Sequence, residues 1–349
     1  MRLAEPVGIT AATLWLPEER DRAERAVREG RLTPRHARDL GHEDVPAAVE
    51  ETAPDMAVAA AGRALRTAGI EPKELDLVLH ASMYYQGHDL WSPAHYIAHR
   101  IGADRALPVG IQQICNGGST AVQLASTYLT ASGGGASPRR ALVTTADRFT
   151  APGFDRWASD YGVAYGDGGT AVVLSGPGAG TGHGLLLRST ASTAASDLEA
   201  MHRGVDPFAP VSRGVRDRVD MRVTKRAYLR EHGNERFVEV NRRSIRTITA
   251  DALDGAGMHP RDPRLRYAVL PRFGRKTLQE SWIAVLAEET SAEPLDFGRT
   301  TGHLGAGDAV AGLADLLTAD LLAPGEAALV FSAGAGFTWS CLLVQAPPR

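Results

Sequence analysis

The chain has 349 residues, two cysteines and a formal net charge of −3. With 44% apolar and 23% charged residues it can build a large core, which excludes a disordered or fibrous chain. The slight acidity argues against a general nucleic-acid binder and the cysteine count against a disulfide framework. No apolar run approaches the roughly 20 residues of a membrane helix. The opening MRLAEPVGITAATLWLPEER reads as no signal peptide, so a cytoplasmic protein that uses a reduced thiol is expected.

In chain order, Val7 to Leu16 reads as a strand ended by Pro17. Arg20 to Leu40 is charged and broken by Pro34, as in surface helices or a lid. Asp55 to Gly69 has helical spacing (Met56, Val58, Ala59, Leu65) with a stop at Gly69, and Leu75 to Ala81 is a short buried strand. Such helix-then-strand units predict a layered α/β fold. Met83 to Arg100 is rich in aromatics and histidines. His95 and His99 have the spacing of a metal pair but lack a third ligand, so packing or polar lining is expected and no metal. Residues 84–91, with Trp91 the candidate substrate contact, line either a pocket or a subunit contact, or simply pack.

The informative stretch follows. Ala106 to Ile111 is apolar and leads to Cys115, then Asn116, Gly117 and Gly118, and then a mostly buried helical run from Ser119 to Leu129. A sulfur there sits at a helix N-terminus, where unpaired N–H groups and the helix dipole favour thiolate over thiol. The glycines would let a substrate carbonyl approach the backbone. Cys115 is therefore read as a nucleophile rather than as a buried structural cysteine.

Gly133 to Ala136 is a turn, and Ala141 to Ala146 a buried strand with Arg148 just beyond it, a second candidate substrate contact. Tyr165 to Ser175 is a glycine turn entering a strand. Gly176 to Gly184 misses the dinucleotide fingerprint and reads as a loop, so no cofactor is expected. Met201 to Arg236 is basic with acids interspersed. It is either a solvated face or a docking surface for an acidic carrier protein or a phosphate-bearing thioester arm. A helix over Asn241 to Leu253 precedes a strand, Tyr267 to Leu270, which runs into Pro271, Arg272, Phe273 and Gly274. After a helix from Lys276 to Glu289, Gly302 to Asp308 introduces another from Ala309 to Leu322. Ala327 to Ser332 and Phe337 to Val344 are closing strands around a turn at Gly334 to Gly336, with Cys341 a small buried residue. The order of elements repeats, which predicts a duplicated unit: a half at 1–178, a basic connection at 179–235 and a half at 236–349.

Together, Cys115 in CNGG, Tyr165 to Ala171, Thr301 to Ala306 and Gly334 to Trp339 resemble the ketoacyl synthase III branch of the thiolase-like superfamily, nearly end to end. The resemblance implies a five-layer αβαβα fold of two similar halves, a homodimer, and an acyl thioester of coenzyme A or an acyl carrier protein that loads Cys115. It also implies an oxyanion hole from the N–H groups of Cys115 and Ala335. The family's condensing members use a histidine and an asparagine to decarboxylate a malonyl group. Here Arg272 stands at the histidine's place and His303 at the asparagine's. An arginine is no general base near neutral pH. His303 instead suits proton transfer to and from Cys115 and an incoming hydroxyl or amine, with Asp308 either orienting it or capping a helix. Arg272 and Phe273 are the remaining candidate substrate contacts. The sequence thus resembles family members of antibiotic pathways that pass an acyl group to a sugar, cyclitol or similar acceptor. The rivals are a condensing ketosynthase, a thioesterase and a non-catalytic gatekeeper that binds carrier protein.

Overall fold

A computed structural model describes residues 2–131, 139–179 and 184–348. The turn at Gly133 to Ala136 and residues 180–183 of the loop at Gly176 to Gly184 lie outside these residues.

The first half begins with β1 (Arg2–Trp15). A small flap follows: β2 (Arg20–Arg22), α1 (Ala23–Arg28), α2 (Pro34–Leu40) and β3 (Asp44–Pro46). Then come α3 (Ala53–Ala68), β4 (Leu77–Ala81), α4 (Pro93–Ile101), β5 (Leu107–Ile111) and α5 (Gly117–Thr130). β6 (Arg140–Asp147) and β7 (Gly168–Ser175) close it. The second half holds β8 (Leu185–Ala194), α6 (Ala200–Arg203), α7 (Met221–His232), α8 (Glu235–Ala256) and β9 (Leu265–Val269). It ends with α9 (Arg275–Leu278), α10 (Ala284–Glu289), β10 (Glu293–Leu295), α11 (Asp308–Thr318), β11 (Ala327–Gly334) and β12 (Thr338–Gln345).

Local chemistry sets these boundaries. In α3 the Thr52 hydroxyl accepts from Asp55 N, Pro54 sits in the first turn, and Gly69 ends the helix at φ 64°. Its inner face is Met56, Ala57, Ala60, Ala61, Ala64 and Leu65. Small side chains there bring helix and sheet close: a Cβ on Gly169 would meet the Met56 carbonyl oxygen at 2.4 Å.

Strand order shows the duplication directly. The sheet runs β10-β9-β11-β12-β8-β1-β7-β6-β4-β5. Outward from the central β8–β1 pair, each half presents two antiparallel and then two parallel pairings. α3 packs on one outer face and α8 on the other. α5 and α11 lie between the halves, in a core that includes Val122, Ala125, Val310 and Leu313. This is the five-layer αβαβα arrangement.

One boundary differs from expectation. Residues 185–194 are not part of a basic connection: β8 is the first strand of the second half, paired with both β1 and β12. Three cations of the basic run pair with acids, Arg203 with Glu199, Arg216 with Asp206 and Arg236 with Asp197. Among the described residues no helix is long and apolar enough to cross a membrane.

Candidate active site

Cys115 sits on a tight turn, residues 114–116, that feeds directly into α5. Ile114 takes φ 48° there, which is uncommon for a β-branched residue and turns the chain sharply before the sulfur. The next residue is pinned. Asn116 Nδ2 donates to Ser340 Oγ at 2.8 Å, and Asn116 Oδ1 accepts from Ser332 Oγ at 2.5 Å. The two glycines serve packing rather than substrate approach. A Cβ on Gly118 would lie 2.5 Å from the Ala306 carbonyl oxygen, and one on Gly117 would lie 3.0 Å from the Ala81 Cβ. They let α5 approach β4 and the turn before α11.

His303 enters from the second half. Its backbone bridges to the strand end at Tyr165: His303 N donates to Ala164 O at 2.8 Å, and Gly166 N donates to His303 O at 3.0 Å. Its Nδ1 lies 2.7 Å from Asp308 Oδ2. The same oxygen accepts Arg272 N at 2.9 Å, and Oδ1 accepts Leu304 N at 2.9 Å. Asp308 is therefore no helix cap: from the first residue of α11 its carboxylate bonds the His303 ring and two backbone N–H groups. Tyr165 and Phe273 present ring edges to the imidazole at centroid distances of 5.4 and 5.7 Å.

The electrostatics follow from burial and pairing. Burial alone disfavours an imidazolium, but the Asp308 carboxylate and the nearby Cys115 outweigh it and hold the His303 pKa well above its usual value. Burial likewise pushes Asp308 up, and His303 and then Arg272 pull it down further, so it stays a carboxylate. His303 Nε2 makes no hydrogen bond of acceptable geometry among the described residues, although Cys115 is near enough to influence the ring. This nitrogen is the one placed to exchange a proton with the Cys115 sulfur.

Cys115 and His303 line one cavity of about 160 Å³, with Met83, Tyr165, Phe273, Gly334, Ala335 and Phe337 among its walls. Gly334 is pressed on the cysteine, since a Cβ there would meet Cys115 Cβ at 2.7 Å. Ala335 thus lies at the cavity beside the sulfur.

Of the expected site residues, the fold brings together Cys115, His303, Asp308, Ala335 and Phe273. Three others need correction as substrate contacts. The guanidinium of Arg272 is buried away from the cavity, ion-paired with Asp315 and bonded to Thr301 Oγ1 at 2.6 Å and Phe297 O at 3.0 Å. Trp91, 37% exposed, packs against His88 and Tyr96 at the surface. Arg148 follows the end of β6 and donates to Val49 O at 2.7 Å. His95 and His99 are exposed on α4, the first bonded to Ser92 Oγ at 2.8 Å.

The sequence reading missed Asp147. Its carboxylate is fully buried and accepts from Met83 N, Tyr84 N and Ala306 N at 2.9, 2.8 and 3.0 Å. It ties a cavity wall to the turn before α11. The signal was an acid closing an otherwise uncharged, buried run, Ala141 to Asp147.

Known proteins share this family and fold. Residues 109–193 match the 3-oxoacyl-[acyl-carrier-protein] synthase III family and residues 253–346 its C-terminal region, together just over half of the chain. A beta-ketoacyl-[acyl-carrier-protein] synthase III of Brucella suis is 26% identical over 301 residues, covering 84% of each chain. Among solved structures, ChlB3, described as an acyltransferase, is 32% identical, covers 99% of this chain and 98% of its own, and superposes with a TM-score of 0.85. The synthase III of Aquifex aeolicus shares the fold at 21% identity, covering 97% of this chain and 99% of its own, with a TM-score of 0.75. The chain belongs to the ketoacyl-[acyl-carrier-protein] synthase III family, with the thiolase-like fold.

Proposed function

We propose that this protein transfers an acyl group from an acyl carrier protein or coenzyme A thioester, through Cys115, to a hydroxyl or amine of a natural-product acceptor such as a sugar or cyclitol. One observation carries the reading. His303, held by Asp308, keeps an unbonded Nε2 at the Cys115 cavity, whereas Arg272, at the condensing enzymes' histidine position, is tied into a buried ion pair. That leaves a proton acceptor at the sulfur and no histidine–asparagine donor pair for an enolate.

In the first half-reaction His303 takes the thiol proton, Cys115 attacks the thioester carbonyl, and the carrier thiol leaves with a proton. The N–H groups of Cys115 and Ala335 hold the oxyanion. In the second, the acceptor attacks the cysteinyl thioester and His303 removes its proton. No metal or redox cofactor takes part. A neighbouring groove shares Gly162 and Thr277 with the cavity and carries Arg35 and Lys276. It is the entry proposed for the carrier arm, with the two cations meeting its phosphate. The edge strand β5, with Leu107 59% exposed, is the proposed homodimer seam.

The test is mass spectrometry of the Cys115 peptide after incubation with acetyl, malonyl and aryl thioesters. Acyl adducts that an acceptor then removes as ester or amide support the reading. Carbon dioxide release with a ketoacyl product overturns it in favour of condensation, free acid without acceptor points to a thioesterase, and an unmodified thiol across the panel points to a gatekeeper.

A further inference from the structure

Away from the sulfur the cavity is polar in a way the chemistry above does not use. Asp160, Lys225 and His202 all line it. Asp160 Oδ1 accepts from Lys225 Nζ at 2.5 Å and from Tyr161 N at 2.7 Å. Its Oδ2 meets only the Tyr165 hydroxyl, at a long 3.5 Å, among the described residues. The side chains of the pair are only 7% and 20% exposed. Lys225 Nζ has Asp160 as its only acceptor among the described residues, which leaves N–H donors unused. His202 lies flat on Phe337 (4.9 Å, 16° between planes), and its buried Nδ1 has no partner among the described residues. Burial first, and then Lys225, lower the His202 pKa to about 4, so near neutral pH the ring is uncharged.

A buried ion pair contributes little to stability compared with apolar packing, since desolvation offsets its attraction. An ion pair with spare hydrogen-bonding capacity on a cavity wall is better explained by a ligand. That wall offers an acceptor oxygen, a donor cation and a neutral imidazole nitrogen. The aromatic residues Phe237, Phe337 and Trp339 line the same cavity. The combination fits a small ring with adjacent hydroxyls on one edge and an apolar face. A neutral pantetheine arm has no comparable use for a paired carboxylate and ammonium.

We infer that Asp160, Lys225 and His202 form the acceptor subsite, which binds a polyhydroxylated ring and presents one of its hydroxyls to the acylated Cys115; this rests on the acyl-transfer reading. The hydroxyl oxygen forms the C–O bond as the C–S bond breaks, and its proton passes through His303 Nε2 to the departing sulfur. Asp160 and Lys225 position the ring and take no proton. All three lie outside the strands, Lys225 on α7 and His202 on α6 between β8 and α8, so the duplicated scaffold leaves this segment free to set specificity.

The experiment preloads Cys115 with an acetyl group from an acetyl thioester. It then follows loss of the adduct with methyl glucoside, methyl rhamnoside and myo-inositol as probes, against cyclohexanol. The unaltered enzyme is expected to release its acyl group to at least one polyol about tenfold or more faster than to cyclohexanol. In Lys225→Met, and in the paired Asp160→Asn/Lys225→Met that leaves no lone buried charge, this preference is expected to fall to within about threefold. Cys115 loading should change far less, and it reports directly that the variants are folded. A preference that survives in both variants, or release no faster with any polyol than with cyclohexanol, overturns the subsite. So does loading that falls as far as release, which would assign the pair to the donor arm. An unaltered enzyme that never loads Cys115 overturns the acyl-transfer reading, and the subsite with it.

Discussion

In the first half a turn at residues 114–116 delivers Cys115 to the start of α5; in the second, a turn at 305–307 delivers Asp308 to the start of α11. The two central helices are equivalent in the duplication, yet one end presents a sulfur to the cavity and the other a carboxylate to a histidine. The carboxylates of the halves differ as well. Asp147 and Asp308 both gather backbone N–H groups in full burial. Burial pushes Asp147 up to about 7, because its backbone donors and the more distant His303 only partly offset the lost hydration. Asp308, in direct contact with His303, is held below its ordinary value. Backbone N–H groups thus build two anion cradles at different points of the two halves, and the side chain that bonds directly decides which stays ionised. On this reading Asp147 holds the walls and Asp308 sets the proton affinity of His303.

The sharpest way to break this assignment is to remove the ring. In His303→Ala, acyl transfer to an acceptor is expected to fall by about 10²–10⁴-fold, the range for loss of a general base. Single-turnover release of a preloaded Cys115 adduct measures it. Undiminished turnover would leave His303 without a role.

A smaller loss, about 10- to 100-fold, is expected for Asp308→Asn, which keeps the ring but alters its partner. The pH profile separates positioning from mere scaffolding. The carboxylate raises the His303 pKa, and transfer needs the neutral ring, so activity rises with pH through that raised value. Removing the charge lowers the pKa and moves the acid limb to lower pH. A reduced rate with an unmoved limb would make Asp308 structural only.

Much of this was legible in the sequence because it depends on period and punctuation. Helical spacing ended by Gly69, buried strands and the repeated order of elements point to a duplicated unit before any contact is known, though not to the place of β8 in it. The Cys115 turn was legible for the same reason, a small-residue sequence between a strand and a helix. What could not be read was side-chain direction. The resemblance puts Arg272 where the condensing members have a histidine, but its guanidinium reaches Asp315, 43 residues on, by a route only the fold defines. Lys225 and Asp160 are 65 residues apart, and the basic run around Lys225 gave no sign that this one cation faces a cavity. The turn of π-helix at Gln279–Ile283 was also hidden, since one residue beyond the α period leaves apolar spacing nearly unchanged.

The smallest expected effect tests the close approach between the halves. Gly118 faces the Ala306 carbonyl oxygen, Thr145 and Val310, so an added methyl meets backbone that cannot rotate aside. Gly118→Ala would ordinarily gain about 1 kcal/mol from helix propensity. Here the contact at 2.5 Å forces α5 away from the turn that carries Asp147's Ala306 bond. A net destabilisation of about 1–3 kcal/mol is expected by thermal or denaturant unfolding, the usual cost of overpacking. The cavity walls would shift with it, and acyl release should slow by a few-fold rather than by the orders of magnitude lost with the ring. Gly117→Ala, 3.0 Å from the yielding Ala81 Cβ, should cost less. If both variants proved as stable as the parent, the glycines would be free of the packing role, and their place beside Cys115 would again point to close approach by substrate.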